Sequence, residues 1–426
     1  MRFIADLHIH SKYSRATSPN MVLEELDRFA DDKGILVMGT GDFTHPQWFK
    51  EIKEKLEPAE PGLFKLKKEY KKPTLKGTFA DTRFMLSVEI SGIFSRKDSS
   101  TKTGKRTYRI HNIVFSPDIK TAENINAQLG LIGNLKSDGR PILGLDSEKL
   151  AEIIFNINPE AVIVPAHAWT PWFSIFGSMS GFDSIEECFG KYAKNIFAIE
   201  TGLSSDPSMN WQLSKLDNIA LISNSDSHSL QKIGREANIF DAELSYDGII
   251  EAIKFRDPKK FIATIEFFPE EGKYHYDGHR KCGVVFHPDE TAKHNGICPV
   301  CKKPLIIGVM NRVEKLTDRK NLKIEHRFNF HKYGNFTPYY NLIPLQEIIA
   351  EAFSVGVSSK KVIKEYENLI KIFGNELKIL LEITEEELKS AAGNRVAEGI
   401  KRVRRGRIKI HPGYDGEYGE VKIFED

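Results

Sequence analysis

The sequence predicts an α/β barrel, followed by a small zinc-binding ribbon and a mainly α-helical C-terminal domain. Three observations carry this. Up to about residue 270, short β-branched runs alternate with helical patterns, as in a domain of parallel strands joined by helices. Histidines and carboxylates recur at the ends of those runs, beginning with Asp6-Leu7-His8-Ile9-His10-Ser11. After Phe268-Pro269 the periodicity stops, a Cys/His cluster follows, and helical patterns resume at Leu345. The expected units are 1–270 for the barrel, 271–310 for the ribbon, and 311–426 for an aromatic and basic linker with a helical domain.

Strands are expected at 3–8, 36–39, 84–90, 109–115, 161–165, 196–200, 220–224 and 261–267. Helices fall between them at 19–33, 47–57, 122–131, 147–156, 212–216 and 246–255, the first with Ser18 as N-cap and Gly34 as stop. Residues 84–115 read as a hairpin, with Glu89 on one arm, His111 on the other, and a basic, Ser/Thr-rich tip at 96–106 projecting outward.

At 426 residues, 40% hydrophobic and 28% charged, the chain has room for two or three domains with a substantial core. Its apolar runs, such as Ala161-Val162-Ile163-Val164, are strand-length, and the N-terminus enters a strand without a signal-peptide pattern. A cytoplasmic protein with no membrane partner is therefore expected. A net charge of +2 says little about partners, but 395–409 gathers Arg395, Lys401, Arg402, Arg404, Arg405, Arg407 and Lys409 against Glu398 alone. Cys188 stands apart from the other three cysteines and reads as a small buried residue.

Side chains alternate along a strand, so His8 and His10 point the same way. Later strands end on Asp42 and His45, Glu89, His167, Glu200, and Asp226 with His228. In a barrel the loops after the carboxyl ends of the strands form one mouth, where all these groups converge. Singly, Asp42 can cap a helix, Glu200 can sit in a salt bridge, and His167 can pack beside Trp169. Together they describe a polynuclear metal site with candidate ligands His8, His10, Asp42, His45, Glu89, His111, His167, Asp226 and His228. Asp42, Glu89 and Asp226 suit bridging positions, and Asp6 an orienting one. Two or three divalent cations (Zn, Mn or Mg) are expected, the imidazoles favouring Zn, Mn or Fe over Mg. Such a site hydrolyses phosphodiesters, with Glu89 and Asp226 as its catalytic carboxylates. Asp183 either caps a helix or donates a proton to the leaving group.

The opening hexapeptide, a Gly-Asp after the second strand, Glu89, His111, His167 and Asp226-Ser227-His228 resemble, in this order, the PHP (polymerase and histidinol phosphatase) superfamily. Over residues 1 to about 270 the resemblance implies a seven-stranded, TIM-like (β/α)7 barrel of PHP type that holds up to three divalent metals and cleaves phosphoesters. Two departures stand out. Gly41-Asp42-Phe43 replaces the usual Thr-Asp-His, leaving His45 as the nearest substitute, and Arg15 and Ala16 stand where a further Asp or His is common.

His279-x-x-Cys282 and Cys298-x-x-Cys301, fifteen residues apart, have the spacing of a tetrahedral zinc ribbon. His287 and His294 compete with His279 for the fourth position, and the symmetry of the pair favours His279. Four protein ligands make this a structural zinc. Downstream, Phe328, Phe330, Tyr339 and Tyr340 lie among cations, which suits either an unstacked base or a loop packed across the barrel. Helices are expected at 345–353, 359–373 with Ser358 as cap, 376–383 and 385–402, the last opened by a capping box at Thr384. Arg402, Arg404, Arg405, Arg407 and Lys409 continue past it as a phosphate-binding surface.

Across the full length, Gly39-Thr40-Gly41-Asp42-Phe43-Thr44-His45-Pro46, Asp277-Gly278-His279-Arg280-Lys281-Cys282 and Tyr339-Tyr340-Asn341-Leu342-Ile343-Pro344-Leu345 resemble the endonuclease Q family. That resemblance implies cleavage of single- or double-stranded DNA 5′ to uracil, hypoxanthine, xanthine or an abasic site, with base flipping, and replication or repair proteins as further partners. The competing readings are a PHP phosphomonoesterase on a small metabolite, which needs neither ribbon nor basic tail, and a nucleic-acid-binding protein that has lost its chemistry.

Overall fold

The first strand, Arg2–Asp6, sends alternate residues to opposite cores. Phe3 and Ala5 join Val37, Met85, Ile113 and Val164 in one cluster, while Ile4 packs on the cluster of Met38, Phe84, Val114 and Ile163. The computed structural model describes residues 1–99 and 103–425. Arg2–Asp6 pairs in parallel with Val37–Gly39, which pairs in parallel with Arg83–Lys97. The latter forms the expected long hairpin with Lys105–Ser116, whose far edge takes Val162–Pro165. Of the tip expected at 96–106, residues 100–102 lie outside the described residues. Ala198–Glu200 and Ala220–Ile222 pair with each other in parallel.

On its other side Arg2–Asp6 pairs with a strand that the periodicity does not announce, Ala237–Asp241, and this pairing is antiparallel. The Asp226-to-Gly234 segment turns the chain back with a single 3-10 turn at Leu230–Lys232, so no α-helix intervenes between it and the preceding strand. Phe261–Glu266 then lies antiparallel to Ala237–Asp241, which makes it parallel to the first strand. Tyr339–Asn341 adds in parallel at its edge, followed by the Glu325–Arg327 and Phe330–Lys332 hairpin.

Most helices fall where the pattern puts them, with shifted ends. The first is Leu23–Lys33, four residues shorter than expected, because Ser18 closes a turn onto Met21 instead of capping. Gly34 does end it, at φ 94° with a Cβ position already filled by Asn375. The expected 212–216 helix is shortened to a 3-10 turn at Ser214–Leu216, preceded by Pro207–Asn210, which Asp206 caps. Ser359, not Ser358, caps Lys360–Phe373, while the Thr384–Glu387 capping box opens Glu385–Arg404 as read. Gly393, at φ 74°, kinks that last helix.

One buried ion pair ties the C-terminal helices to the barrel. Lys33 Nζ lies 2.5 Å from Glu376 Oε2, both side chains about 5% exposed or less, and Glu376 also accepts from Leu345 N and Tyr366 Oη at 2.9 Å. The carboxylate is thus fully satisfied, the condition under which a buried pair is tolerated. Past the last helix a hairpin of Lys409–His411 and Glu420–Lys422 returns to the segment ahead of the Cys/His cluster, where Gly413 N donates to Glu270 O and Tyr276 N to Gly413 O. Among the described residues no helix is long and apolar enough to cross a membrane.

Candidate metal centre

The groups of the site meet at one mouth, some from the loops that follow strands and two, Glu89 and His111, from within the long antiparallel hairpin. His8 and His10 leave the first strand, and a bridge from Ile9 to Ser227 holds them beside Asp226. His10 Nε2 is 3.0 Å from Asp226 Oδ1 and 3.3 Å from Glu89 Oε2. His8 Nε2 is 3.7 Å from the first of these oxygens and 3.8 Å from the second, buried and without a hydrogen-bond partner. Those distances are too long for hydrogen bonds and are the separations of atoms that ligate one cation. His8, His10, Glu89 and Asp226 form one such group.

Glu89 also belongs to a second group with His111 and His167. Its Oε1 lies 2.6 Å from His111 Nδ1 and 2.9 Å from His167 Nε2. The hairpin register explains the meeting: His111 faces Ser91 across the ladder, so Glu89, two residues away, shares its face. Glu89 therefore offers one oxygen to each group, as a carboxylate bridging two cations does. Burial pushes its pKa up, yet His111 and Arg140 hold it well below the usual carboxylate range.

Partners behind the imidazoles aim them. Glu200, which the sequence places among the strand-end carboxylates, takes the back of His8, with Nδ1 3.0 Å from its Oε1, and is itself held by Asn224 Nδ2 at 2.9 Å. Asp6 accepts from Ser225 N and Gly234 N at 3.0 and 2.9 Å, fixing the loop that carries Asp226. Burial pushes its pKa up to about 6. The expected orienting role for Asp6 thus runs through the backbone.

Three candidate ligands stand outside both groups. Asp42, expected as a bridge, instead sits behind His10, 3.1 Å from its Nδ1, and accepts from Ser11 N, Ser11 Oγ and Ser14 Oγ at 2.7 to 2.9 Å. Its oxygens are spent on these donors, so it orients His10. His45 stacks on Tyr13, ring centroids 4.3 Å apart, and meets neither group. His228 packs at a tilt against His10, ring centroids 4.4 Å apart, with Nδ1 3.0 Å from the carbonyl of Asp226 two residues back. Asp42, His167 and Asp226 are held at φ 49°, 30° and 46°, the left-handed region that non-glycine residues enter at a cost.

Asp183 does not cap a helix. Ser184 is the cap of Ile185–Phe189, and Asp183 Oδ1 accepts from Arg312 Nη2 at 2.6 Å. Burial acts upward on its pKa but Arg312 outweighs it, leaving a lowered carboxyl unsuited to general acid work. Arg312 also donates to Phe176 O and Phe182 O, so the cluster anchors helix Val309–Leu316 to the barrel.

His279, Cys282, Cys298 and Cys301 come together as expected, on and around the Asp277–His279 and Val284–Phe286 hairpin. His287 caps Pro288–Lys293, and His294 stacks on Phe286 at 4.8 Å, which removes both as rivals. Of the aromatic candidates, Tyr339 is 3% exposed, with its hydroxyl 3.3 Å from Asp206 Oδ2, and belongs to the sheet rather than to a base pocket. Phe330 and Tyr340 pack on each other at 4.8 Å, while Phe328 is exposed on the hairpin turn.

The basic run divides likewise. Arg404 is no phosphate ligand: its guanidinium donates to Ile379 O, Leu380 O and Ile383 O at 2.6 to 2.8 Å, capping the Glu376–Leu381 helix. Arg402 donates to Ile423 O at 3.1 Å and pairs with Glu398. Arg405 and Lys409 hold surface pairs with Glu385 and Glu425, weak enough to exchange for phosphate, and Arg407 is exposed. Arg404→Ala is expected to cost about 3 kcal/mol in a denaturant melt, since it strands three carbonyls. Arg407→Ala leaves the melt unchanged and lowers the salt slope of DNA binding by about 1. Reversed phenotypes overturn this division.

Sequence reading misses Arg140, whose Nη1 lies 3.0 Å from Glu89 Oε2. It stands in a loop between helix Ile119–Gly130 and strand Ile142–Leu143, where only the Asp138-Gly139-Arg140-Pro141 turn signal hints at a fixed position.

Residues 344–407 match the family model described as the MJ0043 C-terminal domain. The chain is 35% identical over 299 residues to the MJ0043 protein of Methanocaldococcus jannaschii, covering 66% of this chain and 36% of that one. It is 28% identical over 439 residues to YqxK of Bacillus subtilis, covering 99% of both. Among solved structures it is similar to the lesion-specific endonuclease PfuEndoQ from Pyrococcus furiosus, with a TM-score of 0.83, 29% identity, and coverage of 100% of this chain and 97% of that one. It is also similar to an endonuclease Q in complex with a 27-mer duplex bearing an abasic lesion at the active site, with a TM-score of 0.82, 30% identity and the same coverage.

Proposed function

The chain belongs to the endonuclease Q family, and from that premise we propose that it nicks DNA 5′ to uracil, hypoxanthine, xanthine or an abasic site by metal-dependent hydrolysis. The observation that carries the reading is Glu89, whose two oxygens serve two imidazole-rich groups at once. The donor set fits divalent cations, because buried His8 Nε2 has no protein partner and faces two carboxylate oxygens. His8, His10, Glu89 and Asp226 would hold one cation, and Glu89, His111 and His167 another. Bound there, divalent cations supply Lewis acidity and a water acidic enough to attack phosphorus near neutral pH.

The chain's own residues do the rest. Glu200 and Asp42 keep the Nε2 atoms of His8 and His10 turned toward the mouth. A cavity of about 260 Å3 opens between residues 170–172 of the barrel rim and residues 272–275 beside the zinc site. Trp172 and Tyr274 meet edge to face there at 5.5 Å, and Thr170 Oγ1 lies 3.2 Å from His167 Nδ1. An unstacked base enclosed by these rings would leave its 5′ phosphate at the mouth, and a lesion base that pairs poorly is the cheapest to extrude.

Duplex oligonucleotides carrying a single uracil, hypoxanthine, xanthine or abasic site, incubated with Mn, Mg or EDTA, test this directly. The expected result is a metal-dependent nick 5′ to the lesion and none in the undamaged duplex. Binding without a nick, or turnover of histidinol phosphate alone, overturns it.

A further inference from the structure

We infer that Arg140 is a catalytic residue whose guanidinium grips the scissile phosphodiester; this rests on the phosphodiesterase reading but not on which lesion is read. The residue is positioned from both sides. Asp138 Oδ1 accepts from Arg15 N and from Arg140 N, each at 3.1 Å, and Gly139 N donates to Tyr13 O at 3.0 Å. A Cβ at Gly139 would lie 2.3 Å from Asp42 Oδ2 and 2.4 Å from Ser14 Oγ, so only glycine lets the loop press this close behind His10. On the other side Pro141 O accepts from Ser91 N at 3.0 Å, two residues beyond Glu89. The loop is thereby pinned to the turn that follows His10 and to the strand that carries Glu89.

Charge then assigns the role. Glu89 and Asp226 are the two carboxylates of the metal groups. Two divalent cations bound there would balance these two together with Glu200 and Asp42 behind the imidazoles, which would leave the charge of Arg140 in excess beside the mouth. Such an arrangement suits an arriving anion. Arg140 is 26% exposed, whereas Glu89 is fully buried, so the guanidinium presents donors to the mouth while one contacts Glu89. A planar fork matches two oxygens of a phosphodiester, which a point charge does not. During hydrolysis the attacking water oxygen bonds to phosphorus, the bond to the leaving sugar oxygen breaks, and that oxygen keeps the pair and takes up a proton. The non-bridging oxygens gain charge in between, where fixed donors act most strongly.

Arg140→Ala should lower kcat for the lesion duplex about a hundredfold or more, with bound metal per chain and melting temperature unchanged, and Arg140→Lys should recover only part. A binding measurement in EDTA separates contact from support of Glu89. Wild type should bind a duplex with a neutral methylphosphonate at the cleavage position more weakly than the phosphodiester duplex, and Arg140→Ala should bind the two alike. Unchanged kcat, a fall in bound metal, or discrimination retained by the variant overturns the assignment. Bis(p-nitrophenyl) phosphate keeps the two proposals apart. If wild type hydrolyses it but ignores every lesion, the lesion reading fails, and the variant's rate on this substrate still decides the role of Arg140.

Discussion

Glu89→Gln is expected to abolish nicking, by about a thousandfold or more, because the substitution disables both metal groups in one step. The amide has the size and shape of the carboxylate, so the contacts of His111 and His167 on one side and of His10 on the other stay sterically filled. What it loses is the negative charge that lets one side chain serve two cations. Metal counted per chain should drop by at least one, while binding of abasic duplex in EDTA stays within about threefold, since phosphate contacts elsewhere carry most of the affinity. Asp226→Ala should follow the same pattern with the second group spared. A Glu89→Gln enzyme that cuts within tenfold of wild type means that the carboxylate does not bridge, and the site has to be redrawn around Asp226.

Cys298→Ser should remove the other metal and, with it, a piece of the fold. The ribbon's own core is three buried residues, Val284, Cys298 and Leu305, with Cys282, Phe286 and Cys301 packed around them. So few apolar side chains cannot offset the conformational entropy of some thirty ordered residues, and a zinc held by His279, Cys282, Cys298 and Cys301 would make its binding and local folding one event. The expected result is loss of zinc, rapid proteolysis between Asp277 and Leu305, and loss of lesion binding by tenfold or more. Hydrolysis of bis(p-nitrophenyl) phosphate by the barrel should persist. His287→Ala and His294→Ala should keep their zinc, because one caps a helix and the other stacks on Phe286. Protease resistance in a zinc-free Cys298→Ser protein contradicts this account.

Residues whose role follows from strand parity or short spacing were legible in the sequence. His8 and His10 alternate in the extended run that follows the first strand, Glu89 and His111 follow from a hairpin, and the two Cys/His knuckles carry their geometry in their spacing. Roles set by a rotation of the chain were not. Asp42 and Asp226 both end strands and both adopt left-handed backbone, yet one turns behind His10 and the other in front of it. No local pattern distinguishes them, because Ser11 and Ser14, which claim Asp42, meet it across 31 and 28 residues. Arg404 shows the same limit. Its neighbours in sequence suggest a basic surface, and only the packing of Glu385–Arg404 on Glu376–Leu381 turns it inward. The antiparallel Ala237–Asp241 strand escaped because nothing in its pattern separates it from the loop before it.

The unusual backbone at Asp42, His167 and Asp226 sets torsional ease against activity. At each of them glycine would relieve torsional cost while deleting the group that coordinates or aims and, at Asp42, stranding the buried donors of Ser11 and Ser14. Exchange of any of the three therefore trades a local relaxation for lost contacts, and the outcome to expect is an inert protein rather than a sturdier one.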